Sequence, residues 1–276
     1  MRYEVIHLKD HYSFLGENNC DPTLTIYLQD NIAAMNRQDQ KRPAILVLPG
    51  GGYRNVSARE AEPIALHFLP EGYNAFVLHY SVAPNVFPTA IREVAAAMEL
   101  MHANADEWKI DKDRIAIIGF SAGGHLAGHY SNCYNIPEVR EVFPESKPVQ
   151  ASILCYPAIT GDERYGHMGC FRNLSGSPEV TEEIKEKFAL DRKVTENTPP
   201  TFLWHTRTDG VVNVMNTLLY AQTLAIHGVP FSLHIYPAGG HGLSTVDEQT
   251  CKEVAPDAAL SHEWLNEVKK WLKITL

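Results

Sequence analysis

The chain has 276 residues, of which 45% are hydrophobic and 21% are charged, and its formal net charge is −9 at pH 7. This composition is ordinary for a globular protein, and the negative charge argues against nucleic acid and anionic membrane surfaces as partners. No apolar run approaches the length of a membrane span, and the first residues lack the apolar core of a signal peptide. The five cysteines are scattered and show no C-x-x-C spacing, so we expect reduced thiols in a soluble, cytoplasmic protein.

Strand and helix patterns alternate along most of the chain. The predicted strands are Tyr3–Lys9, Leu24–Gln29, Ala44–Leu48, Ala75–Leu78, Ile115–Gly119, Ala151–Cys155, Thr201–Trp204 and Phe231–Tyr236. The predicted helices are Glu60–Leu69, Pro88–Ala105, Ser121–Tyr134, Val212–His227 and Pro256–Leu272. The first two strands have the period-two pattern of exposed antiparallel strands, and the next two are continuous apolar runs typical of strands buried on both faces. The alternation predicts a single α/β domain over residues 1–276, with a mostly parallel central sheet and helices on both faces.

Segment 160–200 interrupts this alternation. It is polar, punctuated by glycine and proline, and contains one short helical pattern, Pro178–Phe188. A segment of this length inside a compact domain usually has a function or is disordered. We interpret it as a small lid or cap inserted over the top of the sheet, with a mobile surface excursion as the alternative.

A serine lies at the turn between a predicted strand and a predicted helix, in the stretch Gly119-Phe120-Ser121-Ala122-Gly123. This context is typical of a nucleophile elbow. The glycines two residues before and after the serine have a steric purpose, because strand and helix must approach closely there. The motif predicts that Ser121 is a nucleophile held above the sheet, at a helix start whose amides and dipole favour negative charge.

A serine nucleophile needs a general base, usually histidine, and an acid that orients this base. Asp209 follows a predicted buried strand and precedes a helix, which places it at the carboxyl edge of the sheet, where α/β active sites are built. His241 follows the last predicted strand and is flanked by glycines that allow a tight loop. The order Ser121, Asp209, His241 is that of an α/β-hydrolase triad. Capping of the following helix is the alternative role of Asp209.

Three consecutive glycines follow the strand Ala44–Leu48, at the same predicted edge as Ser121. Such a loop leaves backbone amides unobstructed, and a developing oxyanion requires preorganised amide donors. We expect the amide of Ala122 to be one donor and the amide of Gly51 or Gly52 to be the other. A plain flexible loop is the alternative.

Aromatic side chains and a pair of histidines give weaker signals. Tyr53, Phe120 and Tyr156 each lie on or beside a carboxyl-edge loop, so we expect them to wall a small pocket for short acyl groups, with core packing as the alternative. His125 and His129 are four residues apart on the predicted elbow helix, but the glutamate of a zincin motif is absent. We interpret both histidines as packing residues and expect no metal.

Taken together, these motifs resemble those of esterases and lipases of the α/β-hydrolase superfamily. More narrowly, the chain resembles small microbial acetyl esterases and acetyl xylan esterase-like carboxylesterases related to hormone-sensitive lipase. The matching stretches are Leu48–Tyr53, Gly119–Ala127, Thr198–Phe202 with Asp209, and His241-Gly242. Pro49 stands where relatives of hormone-sensitive lipase have histidine, which favours the sugar-esterase branch. Relatives often have proline near Asn213, which is a second departure. The resemblance implies an α/β-hydrolase fold over residue 40 to the end, and it leaves a homo-oligomer open.

The resulting hypothesis is a serine carboxylesterase of short acyl esters, in particular acetyl esters. Ser121 attacks the ester carbonyl, His241 takes its proton, Asp209 orients His241, and water then hydrolyses the acyl-enzyme. We expect a small-molecule ester as substrate and no cofactor; acetylated sugars are implied by the resemblance alone. One alternative is a serine peptidase of the prolyl-oligopeptidase type, although this chain has no room for the large domain those usually carry. The other is a non-catalytic hydrolase-fold binding protein, which loss of a triad member would support.

Overall fold

The centre of the fold is one sheet of eight strands. The computed structural model describes residues 1–276, apart from the side chains of residues 18 and 19. Its strands are β1 (Arg2–His7), β2 (Thr23–Leu28), β3 (Arg42–Leu48), β4 (Asn74–His79), β5 (Ile110–Phe120), β6 (Ala151–Cys155), β7 (Thr201–Thr206) and β8 (Phe231–Tyr236). They lie in the order β1-β2-β4-β3-β5-β6-β7-β8. Strand β2 is antiparallel to both of its neighbours, and every other adjacent pair is parallel. The predicted mostly parallel sheet is confirmed.

Helices cover both faces of this sheet. They are α1 (Glu62–Phe68), α2 (Thr89–Ala103), α3 (Ala122–Cys133), α4 (Pro137–Arg140), α5 (Met168–Ser175), α6 (Glu182–Phe188), α7 (Met215–Ile226) and α8 (Trp264–Thr275). Side chains alternate along β3, so that Leu46 and Leu48 join one buried cluster while Ile45 and Val47 join another. Helices α2, α3 and α7 contribute to the first cluster, and α1 and α8 to the second. None of the helices that the structure describes has the length and apolarity needed to cross a membrane.

The C-terminal helix is shorter than the sequence predicts. Helix α8 begins at Trp264, whereas residues 256–263 form turns and the 3-10 helix Ala259–Glu263. The stripe of buried apolar side chains begins only at Trp264 and continues through Val268 and Leu272. Tertiary packing supplies most of the stability of a helix, so the preceding residues, which lack this stripe, do not extend it.

Segment 160–200 contains two helices rather than the single predicted one. Helix α6 matches the end of the predicted pattern, and α5 was not expected. Phe171 on α5 and Phe188 on α6 are buried and pack near His125 of the elbow helix α3. The side-chain amide of Asn173 on α5 donates a hydrogen bond of 2.7 Å to the backbone carbonyl of Gly52. The segment therefore lies against both the elbow helix and the glycine loop; its role as a lid stays a prediction.

Candidate active site

Ser121 occupies the sharp turn between β5 and α3. Its backbone has φ of 54° and ψ of −117°, which is unusual for a residue with a side chain. A Cβ atom on Gly119 would lie 2.1 Å from the carbonyl oxygen of Gly123, and one on Gly123 would lie 2.2 Å from that of Leu48. Both separations are far below van der Waals contact. The two glycines are therefore required for strand and helix to meet at this turn.

The loops after β5, β7 and β8 bring the three predicted triad residues together. His241 Nε2 lies 2.7 Å from Ser121 Oγ, and His241 Nδ1 lies 2.7 Å from Asp209 Oδ2. A carboxylate can only accept a hydrogen bond, so Nδ1 carries the proton and donates it to Asp209. Nε2 is then the acceptor for the Ser121 hydroxyl. This arrangement is what a serine nucleophile and its general base require.

Backbone and side-chain donors hold the Asp209 carboxylate in place. Its Oδ1 accepts hydrogen bonds from the N–H groups of Val211 at 2.8 Å and Val212 at 2.9 Å. Its Oδ2 lies 3.2 Å from Nε2 of the buried His205, in addition to the contact with His241. Burial by itself raises the pKa of Asp209, but the hydrogen bonds from His205, His241 and Val211 outweigh it and lower the pKa. Asp209 thus orders the following turn and also orients His241, but it does not cap α7, whose N-cap is Val214 and which has no side-chain cap.

The glycine loop presents free amides beside Ser121. Gly51 and Gly52 have φ of 133° and 66°, and both line the cleft that contains Ser121. Within the described part of the chain, no acceptor is assigned to the N–H of Gly51, Gly52 or Ala122. Unpaired amides around a nucleophile are what an oxyanion hole requires. The choice between Gly51 and Gly52 as the second donor stays open.

A buried carboxylate that the sequence analysis missed connects the two sides of the site. Glu60 Oε2 accepts a 2.8 Å hydrogen bond from the N–H of Gly50, and Oε1 accepts one of 2.7 Å from the hydroxyl of Tyr156. The same hydroxyl accepts a bond of 3.0 Å from the N–H of Ser244, in the loop that carries His241. In the sequence, Glu60 resembles any acidic residue near a helix start, so no local signal distinguishes it.

The cleft beside Ser121 is small and has both polar and apolar surface. Its volume is about 240 Å³, below the roughly 300–1,000 Å³ of pockets for drug-sized ligands. Asn55, Arg59 and His167 contribute polar side chains to it, and Val211 contributes an apolar one. A larger cavity of about 510 Å³ lies elsewhere and contains none of the three triad residues; it is lined by Phe14, Leu15, Glu17, Cys20, residues 84–89 and Arg92.

The expected aromatic wall requires correction. Tyr53, Phe120 and Tyr156 are all at most 2% exposed, and none of them lines the cleft. The Tyr53 hydroxyl lies 2.8 Å from Nδ1 of His125, and strand alternation directs Phe120 into the cluster beneath α1 and α8. The ring of Tyr156 packs edge-on against His241, with centroids 5.1 Å apart. The alternative of core packing therefore holds for these three side chains, which support the site from behind.

His125 and His129 pack inside the protein. His125 Nε2 lies 2.8 Å from the carbonyl of Phe188, and burial lowers the pKa of His125 to about 4. His129 stacks on Phe87, and burial holds its pKa well below the ordinary value. With Nε2 donating to Phe188, Nδ1 of the neutral His125 ring accepts the Tyr53 hydroxyl proton, so both its nitrogens are occupied. Across the described residues, no three or more His, Cys, Asp or Glu side chains are grouped to hold a metal ion.

Comparisons with known proteins show the family of this chain. A family model described as BD-FAE matches residues 30–153, which include the glycine loop and Ser121. A solved structure, the acetyl ester-xyloside bifunctional hydrolase from Caldicellulosiruptor lactoaceticus, superimposes with a TM-score of 0.84 at 32% identity. That alignment covers 99% of this chain and 96% of the other.

Two curated relatives are longer than this chain. Endo-1,4-beta-xylanase B of Butyrivibrio fibrisolvens is 33% identical over 254 residues, which cover 89% of this chain and 38% of the relative. Acetylxylan esterase of Xylanibacter ruminicola is 31% identical over 207 residues, which cover 72% of this chain and 40% of the relative. The chain thus spans about two fifths of these two proteins. Given the nearly full-length match to the solved hydrolase and the identity to these curated relatives, the chain belongs to the esterases of the α/β-hydrolase family.

Proposed function

We propose that the protein is a serine carboxylesterase that hydrolyses esters of short acyl groups, in particular acetyl esters. The observation that carries the proposal is the hydrogen-bonded chain from Ser121 Oγ through His241 to Asp209, with 2.7 Å at each step. His241 Nε2 accepts the hydroxyl proton as Ser121 Oγ bonds to the ester carbonyl carbon. Asp209 remains ionised and stabilises the resulting imidazolium.

The remaining steps follow from the same groups. The carbonyl oxygen, which becomes negatively charged in the tetrahedral intermediate, is stabilised by the amides of Ala122 and of Gly51 or Gly52. His241 returns its proton to the alcohol oxygen as the ester C–O bond breaks, which leaves the acyl group on Ser121. Water, deprotonated by His241, then attacks the acyl carbon. The bond between this carbon and Ser121 Oγ breaks, His241 returns the proton to Oγ, and the carboxylic acid is released.

Acetylated sugars are the proposed substrate class. Two relatives support this choice by name, one as an acetylxylan esterase and the other as an acetyl ester-xyloside hydrolase. The small cleft supports a short acyl group, and the polar side chains among its lining residues, such as Asn55 and Arg59, can hydrogen-bond an alcohol that carries hydroxyl groups. A cytoplasmic location and a homo-oligomeric state stay predictions.

Hydrolysis of p-nitrophenyl esters from acetate to octanoate tests the proposal. We expect the wild-type protein to prefer acetate, and the Ser121→Ala variant to lose activity by about 10⁴-fold or more. Ser57→Ala is a matched control, because Ser57 lines the same cleft but contacts neither His241 nor Asp209 among the assigned hydrogen bonds. Stoichiometric labelling by a serine-reactive phosphonate, lost only in Ser121→Ala, separates an enzyme from a binding protein. Wild-type inertness on every ester, or full activity of Ser121→Ala, would overturn the assignment.

A further inference from the structure

The inserted segment places one histidine in the cleft. His167 immediately precedes helix α5, is half-buried, and lines the same cleft as Ser121 and His241. The sequence analysis assigned no role to it. The three triad residues come from loops of the sheet, whereas His167 comes from segment 160–200. Among the residues that line the cleft, His167 is the one that this segment supplies.

Hydrogen bonding fixes the tautomer of this ring. His167 Nδ1 accepts a hydrogen bond of 3.1 Å from the N–H of Cys170, which caps the start of α5. Burial lowers the pKa of His167, and the nearby guanidinium of Arg172 lowers it further. The ring is therefore neutral near pH 7, with its single proton on Nε2. Nε2–H is a donor, and among the described side chains no partner is assigned to it.

Arg59 is another polar side chain of the cleft that offers donors. It is exposed. Its Nη2 lies 2.8 Å from the position that a Cβ atom on Gly242 would take, which places it next to the loop of His241. Beside the Glu60 carboxylate and other polar groups, the cleft thus contains two side chains, His167 and Arg59, whose donors can bind acceptor oxygens on a ligand.

An acetyl ester offers such oxygens on one side only. Its carbonyl oxygen is directed at the amides of the oxyanion site, and its methyl group has no acceptor. Among the groups of the ester, only the alcohol portion can therefore accept from a donor elsewhere in the cleft. An alcohol with ring and hydroxyl oxygens accepts this hydrogen bond directly, whereas a simple alkyl or aryl alcohol leaves the donor to water.

We propose that His167 determines specificity, by donating Nε2–H to an oxygen of the alcohol portion and so selecting esters of polyhydroxylated alcohols. This inference rests on the proposed esterase function and assigns a residue to its choice of substrate. It also gives segment 160–200 a defined part in recognition, because α5 holds the ring in the required tautomer.

Two variants separate recognition from folding. In His167→Asn, asparagine preserves the helix cap, because it is among the best N-cap residues, but its shorter side chain lacks the ring donor. In His167→Phe, the ring volume is kept while the donor and the cap are both removed. The readout is kcat/KM for a mono-acetylated methyl xyloside divided by kcat/KM for p-nitrophenyl acetate. His227→Asn is the matched control, since His227 is exposed at the end of α7 and lies outside the cleft.

We expect this ratio to fall about 5- to 10-fold in both His167 variants, the effect of one neutral hydrogen bond, and to stay unchanged in His227→Asn. An unchanged ratio, including one that results from equal losses on both esters, would overturn the inference while leaving the esterase function intact. A wild-type protein inert on both esters would overturn the esterase function and this inference together.

Discussion

Replacing Glu60 by glutamine tests how the glycine loop is held in position. The two carboxylate oxygens of Glu60 each accept one buried hydrogen bond, from Gly50 N–H at 2.8 Å and from the Tyr156 hydroxyl at 2.7 Å. Glutamine has one acceptor oxygen, and its amide nitrogen can only donate. If the oxygen remains on Gly50, the amide nitrogen faces the Tyr156 hydroxyl, whose own proton then loses its acceptor.

The expected loss of stability in Glu60→Gln follows from this count of donors and acceptors. The variant loses one hydrogen bond to a charged acceptor inside the protein and leaves a buried donor unpaired, which together cost about 2 kcal/mol of the free energy of unfolding. Gly50 directly precedes Gly51 and Gly52, so a displaced loop also misplaces the amides beside Ser121. Removal of one oxyanion donor costs about 10²- to 10³-fold in kcat. Partial displacement should therefore lower kcat on p-nitrophenyl acetate by about 10-fold, with a smaller change in KM.

Glu62→Gln is the matched control for this experiment. Glu62 also accepts a tyrosine hydroxyl, that of Tyr27 at 2.9 Å, but it lies on α1 and does not line the cleft. Urea unfolding and steady-state kinetics are measured for both variants. We expect Glu62→Gln to lose less than about 1 kcal/mol and to keep its kcat. If Glu60→Gln matches Glu62→Gln in unfolding free energy and in kcat, the proposed support of the glycine loop by Glu60 is refuted.

Three further predictions concern the elbow, the acid and a buried histidine. Gly123→Ala should lose more than about 3 kcal/mol in urea unfolding, because its Cβ would lie 2.2 Å from the Leu48 oxygen, whereas Gly210→Ala, with nothing within 4 Å, should change by less than about 1 kcal/mol. Asp209→Asn should lower kcat by about 10⁴-fold without unfolding the protein, since an amide stabilises the wrong tautomer of His241; retained activity would contradict this orienting role. The pKa of His125 is about 4, below the 6.5 of an unfolded histidine, so its contribution to stability is complete above pH 6.5 and is lost towards pH 4. Between these pH values the free energy of unfolding should fall by about 3 kcal/mol because of this group. If the stability of His125→Gln depends on pH as strongly as that of the wild-type protein, His125 is not the cause.

Local patterns were enough to predict the sheet and the relative positions of the triad residues. Strands buried on both faces are continuous apolar runs, which made them recognisable in the sequence. The bounds of β6 and of the edge strand β8 are the predicted ones. Parallel strands end at the same edge, so Ser121, Asp209 and His241 had to emerge on one side once their strands were recognised. The structure places them in contact through loops after β5, β7 and β8.

The direction of a side chain near a turn could not be predicted in the same way. Tyr53 and Tyr156 have positive φ, of 56° and 37°, which turns their rings into the protein although both stand beside the site in the sequence. Helix α5 was missed because it is short, contains Gly169 and is capped by a histidine, so it lacks the usual start signals. Glu60 and His167 acquire their positions from contacts distant in the chain, which no local pattern encodes.

The site is thus built from two parts of the chain with different constraints. The triad and the glycine loop are fixed by the sheet, by glycines that cannot accept a Cβ atom, and by buried hydrogen bonds through Glu60 and Tyr156. The open side of the cleft is supplied by His167, whose position depends on α5 and its contact with the glycine loop through Asn173. Changes in segment 160–200 can alter the groups that meet the alcohol without moving the reacting atoms. Differences in alcohol preference among relatives that share this sheet should therefore correlate with sequence differences in the segment that corresponds to residues 160–200, rather than with differences at the elbow.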